Sequence, residues 1–208
     1  MKMSALILLG AILFLSVITA CSDDDDLEEY PQYIEDLVCA RTNSEGKITS
    51  IILDDGREYT PSQQINTAKK NATVRCRCSY IPGKDVIDVH FIEIIFSDAP
   101  QKGIPQTYDP VKFFGGWMSA GYLNLSIGIM TTNAGLHTLG FRTDSITVTD
   151  GMLKAHFSLA HKQSETDELS FTRNEYLSMP VSEYFFCDSI IFAVPTFEGL
   201  KILRFGNK

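Results

Sequence analysis

The sequence predicts an all-β protein built from two small units, and three observations carry that expectation. Turn residues recur at short intervals beyond residue 33, at Ser44-Glu45-Gly46-Lys47, Asp54-Asp55-Gly56, Pro82-Gly83 and Thr149-Asp150-Gly151. Between them, apolar and polar residues alternate with period two, most cleanly over 73–81 and 122–129, the pattern of a half-buried strand. No long amphipathic helix and no internal repeat is visible, and a stretch carrying Pro100, Gly103, Pro105 and Pro110 divides the chain.

Taken in order, Tyr33–Asn43 reads as a strand, and Ile48–Leu53 follows the turn at 44–47. Asp55-Gly56 between apolar runs is a hairpin signal, with Arg57–Thr60 returning until Pro61. Ser62–Asn71 has a helix-like composition, enough for a turn or two. Over Thr73–Ile81, Val74, Cys76, Cys78 and Tyr80 share one face, and Thr73, Arg75, Arg77 and Ser79 the other. In Val86–Phe96 the alternation slips: Ile87, Val89 and Phe91 have one parity, Ile92, Ile94 and Phe96 the other. A slip of this kind predicts a bulge, or a strand buried on both sides, as where a small barrel bends.

The second unit restarts at Val111. Trp117, Leu123, Leu125, Ile127 and Ile129 share one parity, so all five are expected in a sandwich core. Leu136–Val148 and Met152–His161 form a hairpin around Asp150-Gly151, and 163–168 is a polar loop. Glu183–Val194 reads as a long central strand, and Leu200–Phe205 closes the chain.

The N-terminus sets the compartment. A short basic start (Met1-Lys2-Met3) precedes an apolar run from Ala5 to Val17 and then Ile18-Thr19-Ala20-Cys21. That is a secretory signal; the run is too short to span a bilayer comfortably. The small residues before Cys21 resemble the lipobox of bacterial lipoproteins, which implies a diacylated Cys21 as the first mature residue. Ser22, Asp23, Asp24, Asp25 and Asp26 follow it and resemble the export signal of some Gram-negative anaerobes. An outer-membrane protein facing the cell exterior is therefore expected. The organisation read from the sequence is a signal peptide (1–20), a lipidated acidic tether (21–32), a barrel domain (33–98), a linker (99–110) and a sandwich domain (111–208).

The mature chain from Cys21 to Lys208 holds 188 residues, ample for a packed core. The formal charge of −8 belongs largely to the tether. Without Lys2 and the six acidic residues of 23–29, 17 basic face 20 acidic residues. Nucleic acid is not an expected partner, because its binding needs a basic face that displaces counterions.

Trp117 with Tyr122-Leu123-Asn124-Leu125, then His137, then Leu159-Ala160-His161-Lys162 and Asp167, is similar to the pattern of NigD-like lipoproteins. Asp54-Asp55-Gly56-Arg57-Glu58-Tyr59 and Ala72–Ile81 resemble that family's first domain. The resemblance spans the mature chain and implies a small OB-like Greek-key barrel followed by an antiparallel β-sandwich. Cys76, Cys78 and the long 97–110 segment depart from it. The family name derives from a bacteriocin operon, so an immunity-type role is implied by neighbourhood alone, and no catalytic residues carry over.

Chemistry-bearing motifs are sparse. His-Glu-x-x-His, the phosphate loop and Gly-x-Ser-x-Gly are all missing. Ser44-Glu45-Gly46-Lys47 matches Ser-x-x-Lys by letters, yet it occupies a turn. His90, His137, His156 and His161 are scattered over three strands and read as structural or exposed. Cys39, Cys76, Cys78 and Cys187 read first as free thiols. Behind that stand one disulfide of Cys76 or Cys78 with Cys39, of the same domain, ahead of Cys187 and, further back, a zinc site of Cys39, Cys76, Cys78 and His90. Tyr108, Phe113 and Phe114 are expected to pin the domain interface, and Lys69, Lys70, Arg75 and Arg77 to form a solvated basic face. Asp144-Ser145-Ile146 and Asp188-Ser189-Ile190 resemble an Asp-Ser/Thr-apolar O-glycosylation acceptor, with Ser145 the better placed.

The resulting expectation is a non-enzymatic, surface-anchored lipoprotein without cofactor, whose two β domains bind a protein or a glycan. The alternatives are a bacteriocin-immunity factor and an unrecognised hydrolase, which a cleft gathering His137, His161 and Asp167 would support. Cys21→Ala should release the protein from the membrane fraction, and replacing Asp23 to Asp26 by Ala should hide it from protease added to intact cells. Continued labelling of the Cys21→Ala variant by a palmitate analogue, or unchanged protease access without the aspartates, would remove the corresponding assignment.

Overall fold

The first unit closes on itself because its strands are short, strongly bent and joined by tight turns. A computed structural model describes residues 32–107, 109–132, 136–163 and 171–206. Five strands, β1 (Ile34–Thr42), β2 (Ile48–Leu53), β3 (Glu58–Pro61), β4 (Thr73–Ile81) and β5 (Val86–Ile94), form a closed barrel in the order β1-β2-β3-β5-β4. Both early hairpins are three-residue loops ending on a glycine in the left-handed region, Gly46 (φ 85) and Gly56 (φ 89), the turn that adds a bulge to an antiparallel pair. The slip in β5 is a bulge at His90: Ser79 pairs with Phe91 while Tyr80 pairs with Val89. Ile87 and Val89 therefore enter the core, Phe91 turns outward, and Ile92 packs back against the core. The result is a five-stranded Greek-key barrel of OB type.

Residues 62–71 form no helix. Their backbone groups bond outward instead of locally, Ile48 N–H to the Ile65 carbonyl (2.9 Å) and Thr67 N–H to the Gly46 carbonyl (2.8 Å). The segment thus lies over the mouth of the β1–β2 hairpin, and long-range pairing overrides a weak local propensity.

The second unit comprises β6 (Phe96–Ser97), β7 (Lys112–Ser119), β8 (Tyr122–Thr131), β9 (His137–Thr149), β10 (Met152–Gln163), β11 (Phe171–Pro180), β12 (Ser189–Thr196) and β13 (Gly199–Gly206). They form two four-stranded sheets, β13-β12-β10-β9 and β6-β11-β8-β7, packed as a sandwich. Most pairs are antiparallel; β10–β12 and β6–β11 are parallel. Between the sheets lie Leu123, Leu125, Ile127 and Ile129 of β8 with Phe141, Phe157, Leu177 and Phe192, all essentially sealed from solvent. The segment before β7 is tied to β9: Gln101 N–H donates to the Phe141 carbonyl and the Gln101 carbonyl accepts from Thr143 N–H, each at 2.9 Å.

Several expectations need correction. Trp117 does not join the core. Numerical parity carries along one strand only, and a two-residue turn at Ala120 (φ 47) and Gly121 (φ 80) separates β7 from β8. Cross-strand partners share a face, and Trp117 lies opposite Asn124 while Met118 lies opposite Leu123. Met118 therefore packs on the core, and Trp117, 36% exposed, is on the outer face. Phe113 packs against the sandwich core and Phe114 is exposed, so neither pins the interface; Tyr108 lies outside the described residues. β11 escaped the sequence reading because Thr172, Arg173, Asn174 and Glu175 give its first half a loop-like composition, although all ten residues pair with β8. Of the run Glu183–Val194 only the part from Ser189 is strand; Ser182–Tyr184 is a single 3-10 turn.

Leu125→Ala should cost about 2–5 kcal/mol, the usual penalty for emptying a packed leucine site. Chemical denaturation of the mature chain checks it, with Ser126→Ala as control; equal, mild effects would refute the register of β8.

Candidate binding cleft

The outer faces of β4 and β8 are polar in sequence, and they meet. Arg75 on β4 is only 3% exposed. Its guanidinium forms a two-pronged pair with Asp54 of the β2–β3 turn, Nη2 to Oδ2 at 2.7 Å. It also lies 4.6 Å from the centre of the Tyr122 ring and donates longer bonds to Ser178 Oγ and Asn124 Oδ1, both 3.4 Å. Burial works against the Arg75 charge; the hydrogen bonds and charge of Asp54 outweigh it, and its pKa rises above the ordinary arginine value. Asp54 also accepts from Ser119 Oγ, which in turn accepts from Asn124 Nδ2 at 2.8 Å. Ser178 Oγ donates to Asn124 Oδ1 at 2.6 Å. Asn124 is fully buried: the barrel covers it. The basic face expected to be solvated is in fact split: Arg75 lies under the sandwich, Arg77 is partly exposed beside Glu35, and Lys69 and Lys70 are in water.

Beside this buried network the two units leave a cleft of about 540 Å³. Its barrel wall carries Glu35, Asp36, Asp54, Asp55, Arg57 and Arg77; its sandwich wall carries Trp117, Ser119 and Tyr176. Each charge is already held. Arg77 makes two bonds to Glu35, 2.9 and 2.8 Å, and its guanidinium lies 5.3 Å from the Tyr176 ring and 5.6 Å from the Phe91 ring. Arg57 binds Asp55 (2.7 Å) and Tyr59 Oη (3.1 Å). Asp36 accepts from Tyr80 Oη at 2.9 Å; burial, and then that bond to a carboxylate, raise the phenol's pKa.

Among the described residues Cys39, Cys76 and Cys78 are free thiols. Cys76 and Cys78 point into the barrel, where burial pushes both thiols up to about 12, so they stay protonated and inert. Cys39 pairs in register with Arg75 and faces the sandwich, its Sγ donating toward Tyr122 Oη at 3.8 Å. Alternation thus separates Cys39 from Cys76 and Cys78 across the sheet, and His90 sits by Tyr33, 4.7 Å between ring centres. The four candidate zinc ligands do not converge.

Two of the scattered histidines do meet. His137 Nδ1 lies 2.9 Å from His161 Nε2, and His161 Nδ1 lies 3.0 Å from the Asp109 carbonyl oxygen. That carbonyl only accepts, so His161 Nδ1 carries the proton and Nε2 accepts from His137. The ring centres are 5.2 Å apart at 19° between planes; with nitrogens this close, the rings meet edge to edge. Burial, with His137 alongside, lowers the His161 pKa. Both His161 nitrogens are occupied, which leaves it no lone pair to act as a base. Asp167 lies outside the described residues, as do Cys21, Ser22 and Asp23 to Asp26. Ser145 is exposed on β9, whereas Ser189 is partly buried within the sheet.

Asp54→Ala should cost about 3–5 kcal/mol, because it strands a buried guanidinium, and Asn124→Ala about 1–3 kcal/mol for the unpaired hydroxyls it leaves. Denaturant titration provides the measurement. An Asp54→Ala variant as stable as Asp55→Ala would mean that Arg75 does not depend on its carboxylate partner.

No protein-family model matches the chain, and no curated protein sequence does. Solved structures do. A NigD-like immunity protein from Bacteroides caccae superposes with a TM-score of 0.64 at 21% identity, over 85% of this chain and 93% of that one. A candidate lipoprotein from Bacteroides fragilis gives 0.64 at 13% identity, over 86% and 99%. A protein of unknown function from Bacteroides vulgatus gives 0.61 at 15%, over 83% and 90%. The chain shares the fold of these Bacteroides proteins.

Proposed function

We propose that the protein is a non-enzymatic lipoprotein, anchored through Cys21 and facing the cell exterior, that binds carbohydrate in the cleft between barrel and sandwich. One observation carries the reading: Trp117 presents an open ring in a cleft whose carboxylates and guanidiniums are already fixed by one another. A flat aromatic ring suits the C–H face of a sugar, and preset donors and acceptors suit its hydroxyls. Holding those groups in place before binding reduces the side-chain entropy lost on association. With Arg75 counted beside Asp54, the four carboxylates of the walls exceed the guanidiniums by a single charge, which suits an uncharged, polyhydroxylated ligand better than a strongly ionic one.

A second reading, immunity toward a bacteriocin, is favoured by the description of the Bacteroides caccae structure as an immunity protein. It predicts protection of a sensitive strain by the expressed protein without any affinity for sugars.

Titration calorimetry of the mature chain against purified oligosaccharides tests the proposal. Trp117→Ala should lower affinity at least about tenfold, roughly 1.4 kcal/mol, with little change in unfolding midpoint because the ring is partly exposed. Equal affinity in the variant would dismiss the cleft, and protection without sugar binding would favour immunity.

A further inference from the structure

A sandwich has open sheet edges, and each edge must be guarded against pairing with foreign strands. Among the described residues three of the four outer strands carry a guard. β6 is two residues long. β9 is capped midway by Gln101, which bonds both Phe141 and Thr143. β7 is bulged between Phe113 and Gly115, and just before it Val111 bridges Thr196. The fourth strand, β13, has none of these devices. Its eight residues pair with β12 in unbroken register from Thr196–Gly199 to Ser189–Gly206. It contains no proline and no bulge, and no described strand lies on its other side.

The side chains of β13 say what such an edge would accept. Leu200, Ile202 and Arg204 are on the outer face; Lys201, Leu203 and Phe205, opposite Val194, Phe192 and Ile190 of the core, are on the inner face. Lys201 and Arg204 are the only charged residues of the strand, one on each face, in a chain whose formal charge is −8. Pairing β13 with a second copy of itself would place only positive charges along the seam. A strand carrying carboxylates would instead meet an opposite charge on either face, while its backbone completes the open ladder.

We propose that the outer edge of β13 is a strand-addition site for an extended acidic polypeptide segment. The site is independent of the cleft: it uses backbone groups and two basic side chains at the sheet edge, none of which lines the cleft. Affinity comes from the main-chain ladder, and preference for acidic sequences from Lys201 and Arg204.

The test uses the mature chain and two fluorescent probes, a short alternating Glu-Val peptide and its Lys-Val counterpart. The expected result is saturable binding of the Glu-Val probe, about tenfold tighter than the Lys-Val probe, with new hydrogen-exchange protection at alternate amides of Gly199–Gly206. The double variant Lys201→Glu/Arg204→Glu should invert the preference, an outcome that loss of folding cannot produce, and Trp117→Ala should leave it unchanged. Absence of saturable binding, equal affinity for both probes, or a preference that survives the charge reversal would overturn the proposal. So would protection of β13 that rises with protein concentration without peptide, which would identify a second copy as the occupant.

Discussion

The buried pair of Arg75 and Asp54 is the constraint on which the arrangement of the two units rests. A guanidinium withdrawn from water carries a desolvation cost of several kcal/mol. Here it is offset by a two-pronged carboxylate, by the Tyr122 ring and by Ser178 and Asn124. Neither unit could supply this alone: Arg75 and Asp54 belong to the barrel, and Tyr122, Asn124 and Ser178 to the sandwich. Separating the units would expose apolar surface and also dismantle a network in which Asp54 Oδ2, Asn124 Oδ1, Ser119 Oγ and Ser178 Oγ each bond two partners. Residues 33–208 accordingly form one compact unit. Networks of this kind contribute more to a unique arrangement than to raw stability.

The cleft is a by-product of that docking and inherits its rigidity. Asp54 and Ser119 belong both to the buried network and to the cleft wall, so the cleft cannot widen without disturbing the Arg75 pair. Gly116 on β7 shows the same economy. A Cβ there would meet Leu203 Cδ1 at 2.6 Å and Leu125 at 3.2 Å, so glycine lets β7 lie close over the core. Its neighbour Trp117, opposite Asn124, is on the outer face.

Much of this was legible in the sequence. The strand Ile48–Leu53, the faces of Thr73–Ile81, the slip in Val86–Phe96 and the Asp150-Gly151 hairpin all correspond to observed elements, because a period of two and left-handed turn residues are local signals. Other features were not legible, each for a physical reason. Trp117 was misassigned because parity does not cross a turn; pairing sums do, and the two-residue turn at Ala120-Gly121 would have placed Trp117 opposite Asn124. β11 was overlooked because its outward residues are covered or solvated in ways that alternation at a polar end cannot reveal. The meeting of His137 and His161 depends on register between two long strands, which composition does not set.

Arg75 illustrates the deeper limit. Alternation assigns a residue to a face, and says nothing about whether water or protein lies against that face. Thr73, Arg75, Arg77 and Ser79 read as one polar stripe, yet Arg75 is sealed, Arg77 lines the cleft beside it, and Thr73 is exposed. The distinction is made by what docks there, and the sequence trace of that docking is itself polar: a turn aspartate at Asp54 and an asparagine, Asn124, inside a core strand of the sandwich. An asparagine flanked by Leu123 and Leu125 on an alternating strand is unremarkable if it faces water. Only when both faces of β8 are known to be covered does Asn124 become the residue that must find donors and acceptors, and the barrel is where it finds them. The polar face of a strand is therefore the place to look for a partner surface before it is assigned to solvent.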